Sequence, residues 1–267
     1  MLGKWTDTID SLSEQYLSAV PYEHIVINNF FDEEYAEKLA KNTPDPDDTW
    51  FKYDNPFEGK YLFNNFKEGD AVKKAIDYLY EPDFIKLMSK LTGVTNLESD
   101  PSLNAGGLHA YPRNGISGIH LDYTIHPILK KERRVSIIVY LSKGWKPEWG
   151  GQLNIWDSQL TKKTIIEHDL WNTAIIFKTN GTTYHGVAEP LKCPEGTYRK
   201  SIGIYYLTEP TAESLINPRY HAVYFPNPGE EVPEKLKKLY EIRKERRITE
   251  DDMSDWSTWR QDCGRTG

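Results

Sequence analysis

The feature that most constrains the fold is a series of eight short strand-like segments that begins at about residue 103. The segments are rich in β-branched and aromatic residues, and turn-forming Gly, Pro and Asn residues separate several of them. They span residues 103–111, 117–123, 133–142, 150–157, 162–168, 173–179, 182–188 and 198–207. Short strands at this spacing favour a sandwich or a barrel over alternating β-α units. We therefore expect a mostly β protein with flanking helices.

The segments before the strands predict helical support. Residues 23–30 are typical of a short strand, Asp32 predicts the N-cap of a following helix, and residues 70–92 have helical spacing interrupted at Pro82. No internal repeat or biased linker divides the chain. We expect one domain over residues 1–267, made of an N-terminal support (1–100), a strand-rich core (101–208) and a C-terminal extension (209–267).

The C-terminal extension is irregular after Pro210 and then becomes helical and strongly charged over residues 235–247. Such a charge run is typical of a solvated helix face, with a docking surface as the alternative. The sequence leaves open whether the extension covers an active site or forms a homodimer contact.

Composition and charge exclude several classes of protein. A net charge of −7 and a pI of about 5.6 argue against a general binder of nucleic acid or of anionic membranes. No stretch approaches the roughly 20 apolar residues of a membrane helix, and the first twenty residues contain no apolar run resembling a signal peptide. Cys193 and Cys263 lie far apart and predict neither a disulfide framework nor a zinc ribbon. We expect a cytoplasmic protein with no nucleic-acid or membrane partner.

The candidate chemistry begins with the sequence His120-Leu121-Asp122 inside a predicted strand. Residues two apart on a strand share a face, so His120 and Asp122 can bind one metal ion together. A third ligand from a distant strand would complete a facial triad with open positions, which suits Fe(II) oxygenases. Alone, the pair is a weak signal. Nucleotide-binding glycine motifs, H-E-x-x-H and the nucleophile elbow are all missing from the sequence.

The surrounding segments make the pair specific, because together they resemble the prolyl-4-hydroxylase-like branch of the Fe(II)/2-oxoglutarate-dependent dioxygenases. The matching segments occur in the family's order and are Tyr111–Gly115, His120–Asp122, Arg134–Leu141, Gly150–Ile155, the strand around His185, and Arg199–Ser201. They cover roughly residues 103–207. The resemblance implies a double-stranded β-helix, or jelly roll, with Fe(II) held by His120, Asp122 and His185. His126 is a rival ligand, four residues after Asp122.

The resemblance also implies a pocket for 2-oxoglutarate. Arg199 is expected to bind the distal carboxylate, supported by Ser201 and by the hydroxyl of Tyr140, with Lys192 and Lys200 as weaker alternatives to Arg199. Leu153 and Val187 are expected as apolar walls. Tyr111 is expected in the same cavity, although with His109 on its face it is also a candidate for binding substrate. An aromatic mouth could form from Tyr123, His126, Trp156, Trp171 and Tyr205, although aromatic residues on barrel strands more often belong to the core.

The implied activity is hydroxylation of an unactivated C–H bond, with release of succinate and carbon dioxide. Dioxygen is the co-substrate, and ascorbate is a candidate reductant. The resemblance implies a prolyl substrate, but a free small molecule remains an alternative. The rival functions are a cupin-like metal protein without oxygenase activity and a catalytically silent binding module of the same fold.

Overall fold

The structure is a computed structural model, which describes residues 1–254, 256, 258 and 259; Cys263 lies outside these residues. The helices are α1 (Ile9–Ser18), α2 (Glu33–Lys41), α3 (Ala71–Leu79), α4 (Pro82–Thr92), α5 (Ala212–Ile216) and α6 (Glu234–Glu245), with short 3₁₀ turns at Lys4–Thr8, Pro147–Trp149 and Asp251–Met253. The strands are β1 (His24–Asn28), β2 (Phe51–Asn55), β3 (Glu58–Phe63), β4 (Glu98–Ser99), β5 (Gly107–Tyr111), β6 (Ser117–Leu121), β7 (Glu132–Leu141), β8 (Asn154–Trp156), β9 (Lys163–Ile165), β10 (Trp171–Lys178), β11 (His185–Val187), β12 (Arg199–Thr208) and β13 (Val223–Tyr224).

The eight predicted strands correspond one to one with β5 to β12, so the mostly β class with flanking helices is confirmed. Local signals also fixed helix ends. The Asp32 side chain accepts a hydrogen bond of 2.9 Å from the backbone N–H of Tyr35 at the start of α2. Pro82 opens α4, and Gly93 ends that helix with a left-handed φ of 71°.

The N-terminal support is less helical than expected, because it also contains the hairpin β2–β3. Its strand β2 is exposed or half-buried along its whole length, so it lacks the alternation that would mark a strand in the sequence. The hairpin nevertheless matters for the site. Strand β3 pairs with both β5 and β6 and joins two parts of the sheet.

Within the described residues, the strands form one antiparallel sheet in the order β1-β10-β7-β12-β5-β3-β6-β11-β8-β9. Residues from β7 and β12, near one end of this order, and from β6 and β11, near the other, line the same cavity. The sheet must therefore curl on itself so that its two halves face one another.

Alternation along β7 and β12 separates the core from this cavity. The outward residues pack with helices α1 to α4 in the main apolar core, and they are Val135, Ile137, Val139, Ile202 and Ile204. The intervening residues line the cavity, and they are Ser136, Ile138, Arg199, Ser201 and Gly203. The core helices thus hold the rigid back of the strands whose front faces carry the polar site.

The C-terminal extension folds back over the sheet. Strand β13 pairs with β6, so that Tyr224 lies opposite His120. Helix α6 then packs on this strand through Leu236 and Leu239, which share an apolar cluster with Phe57 and Tyr224. None of the helices described here is long and apolar enough to cross a membrane.

Candidate functional site

The structure brings His120, Asp122 and His185 together at the inner face of the sheet. His120 in β6 and His185 in β11 are direct register partners on neighbouring strands, and Asp122 follows the end of β6. The candidate ligand atoms of the three residues lie within 4.8 Å of one another. Asp122 Oδ2 is 3.3 Å from His185 Nε2, and Asp122 Oδ1 is 3.8 Å from His120 Nε2. One ion can therefore reach all three side chains.

The backbone fixes the ring orientation of both histidines. The Nδ1 of His120 lies 2.8 Å from the carbonyl oxygen of Gly118, and the Nδ1 of His185 lies 3.0 Å from that of Thr183. A carbonyl oxygen only accepts, so each Nδ1 carries the proton and donates it. Nε2 of each ring is then the atom that can offer a lone pair to a metal, and it faces the cluster.

The surroundings of His120 and Asp122 shift the pKa values of both groups towards the forms that bind a metal. Burial, reinforced by the neighbouring His185, lowers the pKa of His120 to about 3, so this ring is neutral at ordinary pH. Burial by itself would raise the pKa of Asp122. The Arg133 guanidinium, 2.7 Å from Asp122 Oδ2, outweighs that effect and holds the pKa well below its usual range.

The hydrogen bonding of the Asp122 carboxylate also matters for metal binding. Asp122 Oδ2 is buried and receives no directed hydrogen bond, even though Arg133 lies close to it. Two imidazoles that present Nε2 and one ionised carboxylate form the donor set of a facial Fe(II) site. The residues present therefore fit the metal.

The metal-ligand cluster and Arg199 line the same cavity of about 120 Å³. Arg199 is 2% exposed, and its Nη2 donates a 3.1 Å hydrogen bond to the hydroxyl of Tyr140. Its Nε is buried with no hydrogen-bond partner, and no carboxylate among the described residues lies within 4.0 Å of its nitrogens. Burying a guanidinium without an anion costs free energy. The part of the cavity around Arg199 is therefore suited to bind a carboxylate.

Aromatic rings hold Arg199 in place. Its guanidinium carbon lies 4.7 Å from the ring centres of both Tyr111 and Tyr140. Tyr140 is fully buried and stacks in turn on His168, with the ring centres 4.6 Å apart. The planar cation is thus positioned before any ligand arrives.

The structure explains why position 151, in the Gly150-Gly151 pair, is a glycine. A Cβ built on Gly151 would lie 2.9 Å from Cδ of Arg199, and the residue has a φ of 96°, which L side chains rarely adopt. Any larger residue at this position would push the Arg199 side chain out of its place.

The remaining sequence-predicted pocket residues are also brought together. Tyr111, Leu153, Val187 and Ser201 line the cavity, whereas Tyr140 reaches it through its hydroxyl and Arg199. His109, which the sequence placed on the face of Tyr111, lines the cavity as well. Burial, with nearby cations, holds its pKa well below the usual value for histidine.

The alternative residues lie elsewhere. Lys200 points away from the cavity and forms a 2.6 Å ion pair with Asp45, and Lys192 is exposed outside the cavity. His126 is fully buried, with Nε2 lying 3.3 Å from an oxygen of Asp100 and Nδ1 accepting backbone N–H groups. Both ring nitrogens of His126 are therefore occupied in a local network.

The aromatic mouth forms only in part. Tyr205 lines the cavity, and Tyr123 lines a groove outside it. Trp156 is buried within the sheet, and Trp171 lies on another face, where its Nε1 donates to Glu33. Trp156 thus belongs to the core, which is the usual place for an aromatic residue on a barrel strand, and Trp171 does not contribute to the mouth.

Sequence reasoning missed Arg133 and Tyr224. Simple alternation from Tyr140 would direct Arg134 inward, but a register shift in the β7–β12 pairing next to Arg133 changes the face. Tyr224 stacks on the His120 ring at 5.2 Å from a strand of two residues, which is too short for any periodic signal.

Comparison with known proteins agrees with this geometry. Residues 106–207 match the family model described as the 2OG-Fe(II) oxygenase superfamily. These residues form a 2OG-Fe(II) oxygenase domain. They contain all three candidate metal ligands and Arg199, which confirms the family resemblance in the sequence and the expectation of iron and 2-oxoglutarate as the groups that the domain binds.

One relative that the chain resembles is a prolyl hydroxylase. The chain is 27% identical over 211 residues to prolyl 3-hydroxylase OGFOD1 of Mus musculus, a match that covers 71% of this chain and 34% of the relative. The chain therefore corresponds to about a third of that protein's length.

Solved structures confirm the jelly-roll fold. A prolyl-4-hydroxylase of Pseudomonas putida is similar with a TM-score of 0.53 and 17% identity, covering 76% of this chain and 100% of that one. A prolyl hydroxylase of Trichoplax adhaerens, in complex with a hypoxia-inducible-factor peptide, is similar with a TM-score of 0.55 and 17% identity, covering 81% and 98%.

Proposed function

We propose that this protein is an Fe(II)- and 2-oxoglutarate-dependent hydroxylase, which converts an unactivated C–H bond to an alcohol and releases succinate and carbon dioxide. The observation that carries the proposal is one cavity with two complementary sets of residues. His120, Asp122 and His185 offer three converging donors, and the Arg199 guanidinium, which has no carboxylate partner among the described residues, lines the same cavity.

Each residue has a defined task in this proposal. His120, Asp122 and His185 would hold the iron, and Arg133 keeps Asp122 ionised. Arg199 would bind the distal carboxylate of 2-oxoglutarate, while Tyr140, Tyr111 and Ser201 position and surround that arginine.

Bound iron supplies the oxidising chemistry, and the chain contributes orientation and exclusion of water. Leu153 and Val187 would provide apolar walls around the bound co-substrate.

The substrate class that we propose is a prolyl residue of a polypeptide, with a free small molecule as the alternative. The support for the prolyl class is the similarity to the mouse prolyl 3-hydroxylase over 71% of this chain.

The test follows succinate release by the purified protein with Fe(II), 2-oxoglutarate and dioxygen, with and without pooled peptides or small molecules. We expect release that depends on Fe(II) and is stimulated by one pool. Asp122→Ala should abolish it, whereas Asp48→Ala, which removes an exposed carboxylate, should not. Undiminished release by Asp122→Ala would refute the assignment of the metal site.

Further expectations from the sequence stay predictions. Ascorbate is proposed as the reductant that maintains ferrous iron, and a homodimer is proposed as a candidate assembly. The cytoplasmic location and the lack of nucleic-acid and membrane partners are likewise still predictions.

We also propose that residues 1–267 act as one dioxygenase domain. The support is the contact of both flanks with the core: α1 to α4 pack on the strands of the cavity, and β13 pairs with the strand that carries His120.

A further inference from the structure

A groove of about 600 Å³ lies next to the metal-ligand cluster, and its lining does not include Arg199. Asp122, Arg133 and Tyr224 line both the inner cavity and this groove, so the two spaces adjoin one another at these side chains. The outer wall is formed by the hairpin β2–β3 on one side and by the end of α6 on the other. This is the route by which a substrate could reach the metal.

Arg243, in the last turn of α6, is an unusual residue in the wall of this groove. It is 5% exposed, and its Nη1 is fully buried without a hydrogen-bond partner. Within the part of the chain that the structure describes, no carboxylate lies within 4.0 Å of its nitrogens. Its guanidinium carbon lies 5.2 Å from the ring centre of Tyr224.

The nearby acidic groups already have partners of their own. Glu58 is 3.1 Å from Lys60 and also interacts with the hydroxyl of Tyr224, and its charge reaches Arg243 only over a longer range. Asp54 is 3.0 Å from Lys52. Lys60, which lines the inner cavity, and Arg243 thus share Glu58 as the one buried carboxylate near them.

The neighbouring Arg246 shows what an ordinary arginine on this segment does. It is exposed and forms an ion pair of 2.7 Å with Asp252. A buried guanidinium that lacks such a partner is unfavourable unless an anion compensates its charge. The groove therefore contains a cation that is poised for a ligand.

We propose that Arg243, with the exposed Arg247 at the rim of the groove, binds an anionic group of the substrate, a carboxylate or a phosphate, while the carbon to be oxidised lies at the metal. This inference rests on the proposed function and narrows its substrate class. It predicts that a neutral substrate without an acidic group is turned over poorly.

The structure also limits where the acidic group lies. The Tyr224 ring centre is 5.2 Å from that of His120 and 5.2 Å from the Arg243 guanidinium carbon. An extended peptide advances about 3.3–3.6 Å per residue, so it covers this combined distance in roughly three residues. In a polypeptide substrate, the acidic side chain would lie within about three residues of the hydroxylated one; in a small molecule, it would be a carboxylate or phosphate at similar reach.

The first experiment measures binding and needs no turnover. Inorganic phosphate is titrated calorimetrically into the full chain, and into Arg243→Gln and the matched control Arg246→Gln. We expect saturable binding by the parent protein and the control, and at least tenfold weaker binding by Arg243→Gln. Equal affinity of the parent protein and Arg243→Gln would overturn the proposal. Should the glutamine variant not fold, the Nε resonance of Arg243 is followed by NMR in the parent protein and is assigned by its loss in Arg243→Lys. We expect this resonance to shift when phosphate is added; no shift overturns the proposal.

The second experiment identifies the source of the anion. Succinate release is followed with proline-containing peptides that carry Glu, or Gln in its place, one to three residues from the proline, and with small carboxylic acids and phosphate esters. Stimulation that requires the acidic group and falls at least tenfold in Arg243→Gln supports the proposal for the source that shows it. Stimulation that ignores both the acidic group and the substitution overturns it. Loss of all succinate release, with phosphate binding intact, would instead refute the proposed function and leave the anion site standing.

Discussion

Replacing Arg199 by Met separates the binding role of this residue from any structural role. In the ligand-free protein the Arg199 guanidinium has a hydroxyl and two aromatic rings around it but no described carboxylate. Exchanging a buried unpaired cation for an apolar side chain of similar length should leave the free energy of unfolding within about 1 kcal/mol, or raise it.

The affinity for 2-oxoglutarate should change much more. Truncating one partner of a buried, hydrogen-bonded charge pair costs about 2–5 kcal/mol, which corresponds to a loss of roughly 30-fold or more in affinity. The lower part of that range is expected here, because the Tyr140 hydroxyl and Ser201 remain available to the carboxylate.

The assay is calorimetric titration of 2-oxoglutarate into Mn(II)-loaded protein, which binds without turnover, together with urea unfolding of the metal-free protein. Lys200→Met is the matched control, because Lys200 is adjacent in sequence but points away from the cavity and pairs with Asp45. A Kd for Arg199→Met within threefold of the parent value, or a larger loss in Lys200→Met, would refute the assignment of the co-substrate pocket.

Three further substitutions test the surroundings of the site. Gly151→Ala should weaken 2-oxoglutarate binding by about tenfold more than Gly150→Ala does in the same titration. Both glycines have a positive φ, but only a Cβ at position 151 would contact Arg199. Equal effects of the two substitutions would contradict this contact. Arg133→Met should lower the free energy of unfolding of the metal-free protein by about 3–5 kcal/mol, since it leaves the Asp122 carboxylate buried without its cation, and added Mn(II) should restore part of this loss in urea unfolding. Burial lowers the pKa of His168 to about 4, so the unfolded chain binds this proton more readily than the folded protein does. The contribution of His168 to the free energy of unfolding should therefore be complete above about pH 6.5 and decline as the pH falls towards 4. His168→Gln should flatten this dependence on pH.

The strands and the metal ligands could be predicted because their signals are local or periodic. His120 and Asp122 share a face by strand alternation alone, and the same alternation placed Arg199 and Ser201 together on the cavity side of β12. The partnership between His120 and His185 could not follow from alternation. It depends on the register between β6 and β11, which only the curled sheet determines.

The positions that were missed depend on irregularity or on long-range contact. Arg133 faces Asp122 because the pairing of β7 with β12 shifts register, and one extra residue in a ladder reverses every inference drawn from alternation. The hairpin β2–β3 was missed since its first strand is not buried on either face, which leaves no hydrophobic period to detect.

The buried arginines connect the fold to the proposed substrate. Three arginines are buried in the described part of the chain: Arg133, Arg199 and Arg243. Arg133 has its carboxylate in Asp122, whereas Arg199 and Arg243 have none within 4.0 Å among the described residues. Arg199 lines the inner cavity, and Arg243 lines the adjoining groove. The co-substrate 2-oxoglutarate has one distal carboxylate and can compensate only one of these two charges. The other cation, Arg243, lies in the groove on the proposed substrate side, where an anionic group of the substrate would compensate it.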